Sequence, residues 1–228
     1  MDDRVLIFLH MFKAYGTTLT SRLKSSFHDS EHAIYNTTPE HPRSIYNTPE
    51  MKLITGHGLF GVHSLLNKPY TYITLLRDPV ERLLSAYWNI REHPEDPRFE
   101  EVHTMHFKEF AISTHFLLVP QLDNYQVREL SGNPVVEREM TSDDLELAID
   151  NLKHYFSYVN VVSNFEQSWL EIKEKFNLRE YDSSISKHLN QTRYKPPVGN
   201  LARDRAKERN FLDYKLIDWV RKNKGMIN

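Results

Sequence analysis

Lys13, Gly16, Thr17 and Thr18 stand close together directly after the apolar run Val5-Leu6-Ile7-Phe8-Leu9. Together they suit an anion. A glycine followed by two hydroxyl residues supplies a tight turn and a helix start, whose outward N–H groups lack intrahelical partners. A phosphate or sulfate satisfies those groups and gains from the helix dipole, and Lys13 adds a full positive charge. Arg77 and Ser85 form a second set: Arg77 ends an apolar stretch and Ser85 lies two turns into the helix after it, so both could reach one phosphate. The third candidate is His57, set between Gly56 and Gly58. A histidine with a pKa near ~6.5 is suited to act as a general base at neutral pH. Each set also has an ordinary reading: a surface Lys beside a Thr N-cap, an Arg77 paired with Asp78 or Glu81 at little energetic value, and a satisfied structural histidine. The chain has 12 histidines, most of which must be of that last kind, and His63 is the rival to His57.

The elements that must hold these residues are readable around them. Residues 5–9 have the unbroken apolar pattern of a parallel strand covered on both faces. Residues 51–66 read as another strand stretch ending in the glycine-flanked His57, where Gly56 and Gly58 let the backbone turn sharply. Residues 71–76 are β-branched and apolar, and the boundary after them is well specified: Asp78 as N-cap, Pro79 at the first helical position and Glu81 completing a capping-box pattern. The first loop is not a Walker A loop, because that motif places its Lys after the second Gly, whereas Lys13 precedes Gly16.

The two loop stretches resemble the cofactor motifs of the carbohydrate sulfotransferases related to the heparan sulfate 2-O- and 6-O-sulfotransferases, which use 3′-phosphoadenosine 5′-phosphosulfate (PAPS). Phe8 through Leu19 is similar to the first motif, and Leu76 through Tyr87 matches the second without a gap. The resemblance implies that Lys13 contacts the 5′-phosphosulfate and stabilises the leaving bridging oxygen. It implies that the loop Ala14-Tyr15-Gly16-Thr17-Thr18 cradles the 5′-phosphate, and that Arg77 and Ser85 hold the 3′-phosphate. His57 becomes the base that deprotonates the acceptor hydroxyl for in-line attack on sulfur. Leu122 through Gly132 resembles a further family segment, which makes Asn124, Gln126 and Arg128 candidates for cofactor or acceptor contact; a polar helix face ending at a Gly132 C-cap is the alternative. His188 through Pro196 resembles a late segment that folds over the nucleotide, so Thr192, Arg193 and Lys195 become further cofactor contacts, or else a solvated basic loop. Three residues depart from the family pattern. Phe12 stands for a Pro, Ala14 lacks a hydroxyl donor, and Tyr15 puts a ring where the family lets the backbone approach the phosphate.

Bulk properties narrow the field. A chain of 228 residues with 39% hydrophobic and 12% aromatic residues can bury one sizeable core, and a single sulfotransferase domain over residues 1–228 is the expectation. The formal charge of -2 argues against general nucleic-acid binding. The absence of Cys excludes disulfides and thiolate chemistry. The longest apolar run is far shorter than a membrane span, and Met1-Asp2-Asp3 leads straight into a core strand without a signal-peptide pattern, so the expected protein is soluble and cytoplasmic. His103 and His106 lack the companions of a metal site, and no metal is expected.

Around the motifs the pattern alternates. Residues 19–27 read as a helix, 28–50 as a long polar loop carrying the near-duplication Ile34-Tyr35-Asn36-Thr37 and Ile45-Tyr46-Asn47-Thr48, and 107–117 and 121–131 as short helices. Leu145, Ala148, Ile149 and Leu152 form a helical stripe. Residues 158–162 read as a strand, Ser163 and Glu166 as a capping box for the next helix, and 201–222 as one closing amphipathic helix. Alternating strands and helices imply an α/β fold, a P-loop-like three-layer domain with a central parallel sheet flanked by helices. The expected activity is PAPS-dependent O-sulfation of a carbohydrate or small-molecule acceptor. An ATP-dependent phosphotransferase and a non-catalytic nucleotide-binding protein are the other two classes.

Overall fold

Val5, Ile7 and Leu9 pack into one hydrophobic cluster while Leu6 and Phe8 pack into another, so the continuous apolar run divides by strand alternation between two cores. That division makes Val5–Leu9 (β1) the middle of a sheet covered on both faces. The computed structural model describes residues 4–35, 43–58, 60–133, 138–179 and 198–223. The other strands are β2 (His32–Tyr35), β3 (Leu53–Gly56), β4 (Tyr70–Leu76) and β5 (Phe156–Val161). All pair in parallel in the order β2-β3-β1-β4-β5.

The helices in chain order are α1 (Gly16–Lys24), α2 (Pro79–Glu92), α3 (Phe99–Val102), α4 (Phe107–Ile112), α5 (Val119–Leu122), α6 (Tyr125–Ser131), α7 (Ser142–Tyr155), α8 (Phe165–Lys175), α9 (Asn200–Arg209) and α10 (Phe211–Lys222). α1 and α8 cover one face of the sheet, setting Leu19, Leu23, Trp169 and Ile172 against Leu6, Phe8 and Ile73. α6, α7 and α10 cover the other, with Leu130, Leu152 and Leu216 against Ile7, Ile54 and Tyr72. Each such fully buried side chain stabilises the fold by roughly 1.5–3 kcal/mol relative to exposure. A third cluster joins α2 to α4 and α9 through Leu83, Phe110 and Ala206. The expected three-layer α/β architecture is therefore the observed one.

Strand order places the site. The chain leaves β1 toward β2 but leaves β4 toward β5, so their C-terminal ends border the crevice where open α/β sheets bind ligands. Leu9 is paired with Thr74 at that edge, and the Thr74 hydroxyl donates to the Leu9 carbonyl at 2.8 Å, locking the two strand ends together.

Several local expectations need correction. The stretch 28–50 is not all loop: it holds β2, an edge strand that pairs with β3 because Gly56 has no Cβ, which would sit 1.9 Å from the Tyr35 carbonyl oxygen. The near-duplicated tyrosines Tyr35 and Tyr46 face each other with ring centroids 6.0 Å apart. Residues 201–222 form two helices broken at Asn210, whose buried side-chain amide donates to the carbonyls of Leu122 and Ala206. The 121–131 helix is likewise divided, with Asn124 in a left-handed conformation between α5 and α6, and the 107–117 helix stops at Ile112. Asn164 rather than Ser163 caps α8, because Glu166 turns away to make a bidentate pair with the buried Arg22. Asp78 caps α2 as expected by accepting from the Glu81 N–H, but the Glu81 carboxylate reaches Arg203 instead of closing the box.

Candidate active site

The loop between β1 and α1 has an unusual backbone. Lys13 and Tyr15 both lie in the left-handed region, with φ of 65° and 64°. For residues with a Cβ this costs roughly 1–2 kcal/mol each. Such strain clusters at ligand-binding turns, where it aims successive N–H groups at one point. α1 then begins with no side-chain cap at Tyr15 and no acidic residue in its first turn. That combination favours an anion at the helix start. The Tyr15 ring does not fill the cradle: it stacks on Phe165 at 5.6 Å, and the Arg77 guanidinium lies 5.6 Å from its centroid. Tyr15 thus takes the backbone conformation that a glycine would, with its ring laid outside. Ala14 is buried, and its N–H donates to the Met11 carbonyl to close the turn.

The two anion sets meet. Arg77 Nη1 donates to the Lys13 carbonyl at 3.0 Å, and Lys13 Nζ donates to Asn89 Oδ1 at 2.6 Å. Asn89 lies one turn beyond Ser85, so Ser85 and Asn89 share the face of α2 turned to the loop. Lys13 and Arg77, 64 positions apart in the chain, are thereby joined.

His57 follows directly on β3 and stacks on His10, the first residue after β1, with ring centroids 3.8 Å apart. Its Nδ1 is 3.1 Å from the His10 carbonyl oxygen. A carbonyl can only accept, so Nδ1 carries the hydrogen and Nε2 keeps its lone pair. Burial against His10 and Phe12 lowers the His57 pKa from its ordinary value, opposed by the bond to the His10 carbonyl. His10 itself is held neutral: burial first, then the charges of His57 and Lys13, lower its pKa to about 3. Phe12 lies edge-on to His57 at 6.1 Å, with Arg98 5.3 Å from its ring centroid.

Gly16 has a role beyond turning the chain. A Cβ there would stand 1.6 Å from Cδ2 of the His10 ring, and that ring is already held between Phe8 and His57. Gly16→Ala is expected to destabilise the protein by about 1–3 kcal/mol, the cost of overpacking. The check is the denaturation midpoint at constant slope; an unchanged midpoint means that His10 moves aside freely.

A family model described as the sulfotransferase family matches residues 1–219. The chain belongs to the sulfotransferase family. No curated protein matches it.

In this sulfotransferase, three of the expected contact residues stand behind the crevice. Gln126 and Arg128 are 0% and 2% exposed, and Asn124 is 5% exposed. Asn124 Oδ1 accepts from the N–H groups of Leu212 and Asp213, Gln126 bonds the Arg77 backbone, and Arg128 pairs with the buried Asp123. The expected ligand contact gives way at these positions to a structural one. Ser85 is 4% exposed on its helix face. His63, the rival base, lies instead among Phe60, Tyr70 and Tyr155, with its Nδ1 3.0 Å from the Tyr72 hydroxyl. Thr192, Arg193 and Lys195 fall outside the described residues. Among the described residues no group of three or more His, Asp or Glu is placed to hold a metal ion, and no helix is long and apolar enough to cross a membrane.

Sequence reasoning missed Asn89 and His10. Asn89 has a signal in its four-residue spacing from Ser85. His10 lies within the Phe8–Leu19 stretch, and its packing role depends on a partner 47 residues away.

Proposed function

We propose that this sulfotransferase uses PAPS to sulfate a hydroxyl of a carbohydrate or small-molecule acceptor, in the manner of the enzymes related to the heparan sulfate 2-O- and 6-O-sulfotransferases. The observation that supports the reading is the contact of His57 Nδ1 with the His10 carbonyl, which leaves Nε2 with its lone pair at the end of β3. The residues present fit the cofactor: an uncapped helix start without acidic neighbours suits the 5′-phosphate, and Arg77 at the end of β4 supplies a second cationic point for the 3′-phosphate. When bound, PAPS supplies the sulfuryl group, with adenosine 3′,5′-bisphosphate as the leaving group.

This chain's own residues then divide the work. His57 Nε2 takes the proton of the acceptor hydroxyl, and the imidazolium that forms keeps its Nδ1–H on the His10 carbonyl. The Lys13 ammonium and the N–H groups of Gly16, Thr17 and Thr18 stabilise negative charge where it develops on the leaving side. Asn89 holds Lys13 in place between turnovers. Positioning and electrostatics carry such a reaction, as they do in phosphoryl transfer.

The test is calorimetric titration with adenosine 3′,5′-bisphosphate beside adenosine 5′-monophosphate (AMP), ADP and ATP with magnesium. Preference for the 3′-phosphorylated nucleotide, cut about 10- to 100-fold in Arg77→Ala, is expected from loss of a charge-assisted contact. Equal affinity for all four nucleotides would remove the PAPS reading, and a preference for magnesium-ATP would replace it with phosphotransfer.

A further inference from the structure

We propose that the first turn of α6 is a positioning bracket that sets the two anion loops against each other, with Gln126 fixing Arg77 and Tyr125 fixing the Lys13 loop. Neither residue is placed to touch a ligand: Gln126 is 0% exposed and Tyr125 3%. The side-chain amide of Gln126 engages the backbone of Arg77 from both sides, accepting its N–H at 2.9 Å and donating to its carbonyl at 3.0 Å. This imitates one more rung of parallel-strand pairing just past Leu76, where β4 ends. One residue earlier, the Tyr125 hydroxyl accepts the N–H of Phe12 at 3.1 Å.

These bonds close a ring. Phe12 is peptide-linked to Lys13, the Lys13 carbonyl accepts from Arg77, Arg77 is clamped by Gln126, and Gln126 follows Tyr125, which returns to Phe12. A displacement of either loop strains the other. The bracket is itself anchored. Asp213, fully buried in the first turn of α10, accepts from the N–H groups of Gln126 at 3.1 Å and Val127 at 2.8 Å, while Asn124 Oδ1 accepts from the N–H groups of Leu212 and Asp213. The starts of α6 and α10 thus cap each other, which prevents α6 from turning by itself. Burial pushes the Asp213 carboxyl up to about 6, opposed by the N–H groups of Val127 and Gln126.

The inference rests on the reading of Arg77 as the 3′-phosphate contact. The experiment compares Gln126→Leu and Tyr125→Phe with the unaltered chain, titrating each with adenosine 3′,5′-bisphosphate and with AMP, alongside thermal melts. Gln126→Leu is expected to cut the affinity ratio of bisphosphate to AMP roughly tenfold, because a misaimed Arg77 weakens only the 3′ contact. Tyr125→Phe is expected to weaken both nucleotides severalfold and leave the ratio unchanged. A ratio preserved in Gln126→Leu, or losses in both variants that merely follow the drop in melting temperature, overturns the bracket. Should Gln126→Leu not fold, Tyr125→Phe decides by itself, and unchanged affinity for both nucleotides overturns the proposal. An unaltered chain with no 3′ preference defeats the cofactor reading instead, which separates the two failures.

Discussion

His57→Ala is expected to lower kcat by about 10²- to 10⁴-fold, the range for removal of a positioned general base, with nucleotide affinity within twofold of the unaltered protein. The split follows from geometry. His57 belongs to the end of β3, on the opposite side of β1 from β4 and the Arg77 loop that it feeds, and its one fixed hydrogen bond is to the His10 carbonyl rather than to any cradle residue. The sign of the pH dependence follows from burial. Because the His57 pKa lies below its ordinary value of 6.5, Nε2 stays unprotonated through neutral pH, and kcat/KM falls only as the pH drops below that range. The residual activity of His57→Ala should lack this acid limb. His63→Ala serves as the control, since its ring lies in the aromatic cluster with Tyr72 and its loss should leave the pH profile intact. An equal fall in nucleotide affinity on His57→Ala would assign the ring to the cradle and not to the acceptor.

Lys13→Ala is expected to lower kcat by about 10²- to 10³-fold, comparable with removing one preorganised donor from a site of developing negative charge. The substitution isolates the ammonium. The Lys13 backbone is held by bonds that alanine retains: its carbonyl accepts from Arg77, and the turn ahead of it closes through the Ala14 N–H on the Met11 carbonyl. The loop should therefore keep its shape and the protein its denaturation midpoint. Asn89→Ala removes one partner of Lys13 Nζ without removing the charge and is expected to stay within about tenfold of the unaltered rate. Matching losses in Lys13→Ala and Asn89→Ala would mean that the Lys13–Asn89 bond matters only for loop structure. Pre-steady-state measurement of the transfer step separates these cases from slow product release.

Much of this was readable along the chain because the signals were local. The apolar run of β1, the Asp78-Pro79 boundary and the glycine pair around His57 declare themselves within a few residues, each through a steric or hydrogen-bond preference complete in its own segment. They suffice for the parallel α/β architecture, and they make Lys13, His57 and Arg77 candidates. Where local signals compete, the reading faltered. β2 is four half-exposed or exposed residues in polar surroundings, and only the close approach allowed by Gly56, in another strand, makes it a strand. The break at Asn210 interrupts an otherwise helical pattern because a buried amide finds the Leu122 carbonyl 88 positions away.

The same division holds at the site. Which residue types stand at the ends of β1, β3 and β4 follows from local pattern, because each is attached to a segment that specifies a strand. What those residues do to one another comes from the packed structure. It showed that Gln126 and Asn124 act behind the crevice, that Asn89 holds Lys13, and that His10 supplies the carbonyl which fixes the tautomer of His57. These are bonds across 47 to 88 positions, and their geometry comes from the strand order and from how α6 and α10 cap each other. No periodicity within a single segment carries that information.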